Sequence, residues 1–285
     1  MPHAPFYVMP MTRTPLTDRP ALLRQRARAR HAPALFLQEL AADEIEDRLS
    51  IVKKSFTAPA VVTGFPEIWQ PRHPRAVVVP DEETLDLRVG AHDLVIHALG
   101  LHWASDPVGQ LVQARRALVP DGLMLAVLFG GSSLHELRTA LAQAEADVTG
   151  GLAPRVLPMA EIRDLGSLLQ RAGFALPVAD RMPLDLRYPD ATALMHDLRA
   201  MGETNAMTAR PRGMLRRAVL DRACEIYARD FAHPEGGVRA SAEMIFLAGW
   251  APDESQQKPL RPGSATTRLA DALGTRETKL APGSD

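Results

Sequence analysis

Three evenly spaced histidines, His92, His97 and His102, are the first residues of this chain that could do chemistry, as metal ligands. A spacing of five does not bring three side chains onto one face of a strand or helix, and no cysteine or carboxylate cluster completes a set. Three separate roles, and no metal, are expected. His135–Glu136 lacks the second histidine of a zinc-protease helix. Cys224, the single cysteine, lies among Leu220, Ile226 and Tyr227 in a helical pattern and reads as a small core residue. No Ser/His/Asp order stands out, so no catalytic residue is assigned.

More chemistry is legible between residues 60 and 106. A nucleotide-binding α/β unit ends its first strand in a glycine-rich turn, because bare backbone and helix N–H groups must approach the ligand. Here the strand Ala60–Thr63 runs into Gly64-Phe65-Pro66-Glu67-Ile68-Trp69. Only the first glycine is present. Pro66 removes a donor, Glu67 adds negative charge, and Phe65, Ile68 and Trp69 are bulky. Pro66, Pro71 and Pro74 also disfavour a crossover helix before Ala76–Val79. Further along, Met201-Gly202-Glu203-Thr204-Asn205 places hydrogen-bonding groups after an apolar helix, with a helix end capped by Gly202 as the plainer reading.

The elements that must position these groups alternate. Ala60–Thr63, Ala76–Val79, Leu94–Ala98 and Leu123–Phe129 are short apolar runs suited to strands covered on both faces. Helical patterns over 34–56, 106–118, 132–147 and 158–172 alternate with them, which predicts a doubly wound α/β sheet. Helices are also expected at 190–201 and from Pro211 to 231, a turn at Asp121–Gly122, and a closing strand at 243–250. Residues 1–20 read as a disordered leader and 252–285 as a disordered tail. Arg19, Arg24, Arg26, Arg28 and Arg30 make a basic run whose ordinary meaning is a solvated face.

The 285 residues carry 33 Lys+Arg against 34 Asp+Glu, a net charge of −1. That balance gives no whole-molecule pull toward nucleic acid or anionic membrane. No apolar run approaches the ~20 residues of a membrane-spanning helix. One cysteine excludes an internal disulfide framework and points to a reducing compartment. Lysine occurs only at positions 53, 54, 258 and 279, a usage that fits a GC-rich bacterial genome and a cytoplasmic protein.

Leu94-Val95-Ile96-His97-Ala98-Leu99-Gly100-Leu101-His102-Trp103 followed by Asp106 resembles the fourth-strand region of class I S-adenosylmethionine-dependent methyltransferases. The Leu-His-Trp element is similar to the branch shared by the biotin-pathway malonyl-carrier-protein methyltransferase and the mitochondrial complex I assembly factor, a methyltransferase-fold arginine hydroxylase. Leu118–Gly122, Phe129–Gly131 with Leu134–Arg138, Gly150–Pro154, Arg163–Gly173 and Asp197–Asn205 follow in the order of the second relative. The resemblance spans about residues 19–251.

It implies a class I methyltransferase-like (Rossmann-like) doubly wound sheet, degenerate near strands 1–3, with a helical lid over about 185–235. It further implies cofactor contacts at Gly64, Asp81, Glu82 and Leu99, and a substrate or partner wall of His102, Trp103, Asp106, Glu203 and Asn205. Val77–Leu85 resembles the third-strand motif, leaving the second strand missing. An alternative register makes Ala76–Val79 the second strand, with Asp81 or Glu82 at the ribose. Either way one cofactor-contacting element is gone, so S-adenosylmethionine is a doubtful cofactor. The implied role is to act on or bind a protein partner, an iron–sulfur subunit of NADH:quinone oxidoreductase. An active methyltransferase on a small acid, a carrier-bound acyl group or a protein is the alternative.

Overall fold

The computed structural model describes residues 14–257 and 267–276. The apolar runs become β1 (Pro59–Thr63), β2 (Val77–Val79), β3 (His92–Ala98) and β4 (Leu118–Phe129), joined by β5 (Ala175–Tyr188) and β6 (Val238–Trp250). They form one sheet in the order β2-β1-β3-β4-β6-β5. The first four strands run parallel, and β6 is antiparallel to both β4 and β5. β1 is buried along its whole length, as a central parallel strand must be.

Side chains alternate across the sheet, so Ala60 and Val62 enter one core layer and Val61 the other. α2 (Phe36–Ile51) and α3 (Pro66–Arg72) cover the Val61 face through Leu37, Ala41, Ile45 and Trp69. α4 (Pro107–Ala117) and α6 (Ile162–Arg171) cover the opposite face through Leu111, Ala114, Leu165 and Leu169. The doubly wound architecture is therefore the one the alternation predicts.

Val77–Val79 pairs directly with β1, and no described strand lies beyond it. It takes the second-strand place, as in the alternative register. The connector to it corrects an expectation: α3 forms despite its prolines. Pro66 stands in the first turn, where its missing N–H costs nothing, and Pro71 falls in the last turn. The Asp121–Gly122 turn is present, but inside β4. His92 pairs with Leu118 and Leu94 with Leu123, so residues 119–122 bulge out, with Asp121 at φ +57°.

The expected lid is inserted between β5 and β6 as α7 (Ala191–Ala200) and α8 (Arg217–Asp230). α8 packs on α5 (His135–Thr149), and Leu194 of α7 joins the same core with Leu137, Ile226 and Tyr227. α8 begins at Arg217 rather than at Pro211, because Arg210 and Arg212 are tied to Asp18 at 2.8 and 2.7 Å. Of the expected leader, residues 1–13 lie outside the described residues. The remainder enters the fold: Thr17 is buried, and α1 (Arg19–Ala29) starts behind the Asp18 cap. The described residues after Pro252 belong to a separate unit and include the short helix α9 (Leu269–Leu273) within the expected tail, the rest of which lies outside the described residues. No helix among the described residues is long and apolar enough to cross a membrane.

Candidate functional site

The carboxyl ends of β1 to β4 open on one edge of the sheet, where ligands of open α/β folds bind. Gly64 follows β1 there, and the space beside it belongs to α1. A Cβ built on Gly64 would overlap the Arg26 guanidinium. Arg26 Nη1 donates to both Asp81 oxygens, at 2.8 and 3.0 Å, and Arg19 Nη2 donates to Asp81 Oδ1 at 3.1 Å. The Arg26 guanidinium also lies 5.4 Å from the centre of the Phe65 ring. Only 3% of the Arg26 side chain and 1% of the Asp81 side chain is exposed, so this is a buried pair.

Burial alone would push the Asp81 carboxyl up. Arg26, and then Arg19, outweigh it and hold Asp81 below the usual carboxylate range. Burial likewise works against the charge of Arg26, yet Asp81 and then Glu203 raise its pKa above the ordinary value.

A second cluster lies beyond Arg26. The turn after α7 brings Glu203 to the one-turn 3-10 helix Leu101–Trp103. Glu203 Oε2 accepts from Trp103 Nε1 at 2.7 Å and meets His102 Nε2 at 3.1 Å. Glu203 Oε1 is buried and has no hydrogen-bond partner among the described residues. Burial pushes this carboxyl up, but His102, Arg26 and the indole N–H bring it below its ordinary value. Glu203 and Trp103 line a cavity of about 380 Å³ whose other walls include Phe129, Leu137, Leu157 and Leu198. Arg155, Arg199 and Arg210 line the same cavity, so the Glu203 carboxylate shares mostly apolar walls with three guanidinium-bearing side chains.

Most of the residues singled out in the sequence meet in these two clusters. Gly64 and Asp81 share the first; His102, Trp103 and Glu203 share the second, and Asn205 lines the same cavity. Asn205 is otherwise engaged in its own turn, donating to Pro154 O at 2.8 Å and accepting from Met207 N at 3.0 Å. Three others fall elsewhere. Glu82 points to solvent. Leu99 is fully buried in the core at φ +45°, a strained backbone held by its N–H on Val127 O at 2.8 Å. Asp106 caps α4 by accepting from Gly109 N at 2.9 Å.

The three histidines take separate partners. His92 Nδ1 faces Ala58 O, His97 Nε2 donates to Gln110 Oε1 at 2.8 Å, and His102 faces Glu203. Full burial pushes His97 below the ordinary histidine value and keeps it neutral. No group of three metal-ligating side chains gathers among the described residues.

Arg26 is the residue that sequence reasoning missed, because an arginine run reads as a solvated face. The available signal is spacing: Arg19, Leu22, Arg26 and Ala29 recur at helical intervals and share the inward side of α1.

Because Asp81 and Glu203 have folded-state pKa values below their unfolded ones, their contribution to stability is complete above the unfolded pKa. It is lost as pH falls through the folded pKa. Thermal melts should therefore be flat near neutrality and decline from about pH 5 downward. Asp81→Asn should flatten that decline. An unchanged slope would show that Asp81 is not held low in the native state.

No family model matches the chain. The chain is 34% identical over 232 residues to the human arginine-hydroxylase NDUFAF5, mitochondrial, covering 81% of this chain and 67% of that one. With the zebrafish (Danio rerio) protein of the same name it shares 37% identity over 198 residues, 70% of this chain but 61% of the relative, so the match falls short of that relative's full length. A malonyl-[acyl-carrier protein] O-methyltransferase of Laribacter hongkongensis is 35% identical over 66% of this chain and 61% of its own length. Among solved structures, the YcgJ protein of Bacillus subtilis superposes with a TM-score of 0.45 at 11% identity, over 74% of this chain and 97% of that one.

Proposed function

Because the chain belongs to the family of the mitochondrial arginine hydroxylase NDUFAF5, on a methyltransferase fold, we propose that it is an assembly-type member that works by binding a protein partner and does not transfer methyl groups. The observation that carries this reading is the Arg26–Asp81 pair beside Gly64. S-adenosylmethionine would bring a sulfonium cation and a nucleoside to the edge of β1, and a guanidinium already fills that ground. Pro66, Glu67 and the lack, among the described residues, of a strand beyond β2 remove further contacts. The residues present do not fit the cofactor, and no chemical step is assigned to it. Losing one or two charged hydrogen bonds at about 1.5–3 kcal/mol each weakens a ligand roughly ten- to ten-thousand-fold.

The second cluster supports the nature of the partner. Arginine presents a planar, always charged guanidinium on a methylene stem, which can pair with the buried Glu203 carboxylate, since two of the arginines lining the cavity, Arg155 and Arg210, are already paired with Glu145 and Asp18. The partner is then a protein segment that offers an arginine to Glu203. The family resemblance points to an iron–sulfur subunit of NADH:quinone oxidoreductase, met in the cytoplasm.

Isothermal titration of the full chain with S-adenosylmethionine, up to millimolar concentration, should give no saturable heat. A micromolar Kd would overturn the reading and favour the active methyltransferase, acting on a small acid, a carrier-bound acyl group or a protein. A pull-down that recovers no respiratory-complex subunit would remove the partner assignment.

A further inference from the structure

Of the three guanidinium-bearing side chains in the walls of the 380 Å³ cavity, two are already paired: Arg155 meets Glu145 at 2.7 Å and Arg210 meets Asp18 at 2.8 Å. The third is different. Arg199, in the last turn of α7, is exposed, and its side chain has no hydrogen bond or ion pair among the described residues.

Arg199 and Glu203 belong to one turn. α7 closes at Gly202, φ +75°, whose N–H donates to Arg199 O at 3.2 Å, while Glu203 N donates to Leu198 O at 3.0 Å. That pair of bonds is the helix ending that a positive-φ glycine permits. The two charges stand four residues apart, a spacing at which opposite charges commonly pair. Among the described residues no ion pair joins them. Glu203 turns instead to Trp103 and His102 and keeps Oε1 without a donor. The cavity thus presents a carboxylate oxygen lacking a donor and a guanidinium lacking an acceptor, both from the end of α7. A lone arginine entering it is attracted by Glu203 and repelled by Arg199. At about 380 Å³ the space lies in the range that holds a ligand larger than one guanidinium head.

We propose that Arg199 reads a carboxylate that the partner carries next to its arginine, the partner's guanidinium resting on Glu203 and its carboxylate on Arg199. The proposal deepens the arginine reading of the partner and rests on it. A partner bearing both charges turns the repulsion from Arg199 into a charge-assisted pair, whereas an arginine with neutral or basic neighbours keeps the repulsion. The carboxylate comes from a chain that ends in arginine or from an adjacent acidic side chain, and the chemistry at Arg199 is the same.

Titrations of the full chain with three probes test this. Nα-acetyl-arginine methylamide has no carboxylate, Nα-acetyl-arginine has its α-carboxylate, and Nα-acetyl-arginyl-aspartate methylamide has a side-chain carboxylate. At least one acid probe should bind about tenfold tighter than the methylamide, the gain of one charged hydrogen bond. The tighter of the two acids names the source. Arg199→Gln should erase that gain and bind the methylamide at least as tightly as the natural chain does. The variant should fold normally, because the Arg199 side chain has no partner among the described residues to lose. Equal binding of all three probes overturns the carboxylate and leaves the arginine reading standing. A gain that survives Arg199→Gln overturns Arg199 as its source. Binding of no probe overturns the arginine reading and this inference with it.

Discussion

Glu203→Ala is expected to cost about 2–4 kcal/mol of stability and at least roughly a hundredfold in affinity for an arginine-bearing partner. Its carboxylate accepts from Trp103 Nε1 and faces His102 Nε2, and the side chains of both residues are almost wholly enclosed. Truncation strands those groups and enlarges the 380 Å³ cavity beside them. Burying polar groups without partners is what makes such a change expensive. Glu203→Gln separates the two roles: the amide oxygen can still accept from Trp103, so stability should stay within about 1 kcal/mol of the natural chain while affinity falls at least tenfold. Denaturant melts and titration with Nα-acetyl-arginine methylamide read the two effects independently. A Glu203→Gln protein that binds as well as the natural one would show that charge at this position does not recognise the partner.

The second large effect concerns how the short edge of the sheet is held. β2 has three residues, and the crossover before it is the seven-residue α3. Trp69 of that helix is fully buried, packs with Leu37, Ile45 and Val61, and stacks on His73 at 6.3 Å. Trp69→Ala should therefore cost about 3–5 kcal/mol and lower Tm by roughly 10 °C. Trp69→Phe should keep most of that stability, since the indole N–H has no hydrogen-bond partner among the described residues to lose. A loss below about 1 kcal/mol for Trp69→Ala would mean that the edge is held by something other than this side chain.

What the sequence made legible follows from burial. Runs such as Leu94–Ala98 and Leu123–Phe129 are apolar on both sides because helices cover both faces of their strands, and that pattern survives without any knowledge of partners. At the start of α4 a cap signal goes unread: the resemblance assigns Asp106 to the substrate wall, whereas with Pro107 in the first turn it caps the helix. The connector 64–75 was less transparent. Its prolines count against a helix unless each is placed by position, and Pro66 and Pro71 fall at the two ends of α3.

The two clusters were only half visible. The motif order named His102, Trp103 and Glu203, but their meeting joins residues about a hundred positions apart, which no local pattern encodes. Arg26 was hidden for a different reason. In a run of arginines composition is uniform, and only the helical phase decides which one turns inward. Arg24, Arg28 and Arg30 stay exposed, while Arg26, in phase with Leu22, crosses to Asp81.

The most direct measurement is a crystal structure of the full chain grown with a large excess of S-adenosylmethionine. It should show Arg26 bonded to Asp81 beside Gly64, with no nucleoside against residues 64–68. Density for the nucleoside in that place, with α1 displaced and Arg26 swung away, would contradict the account.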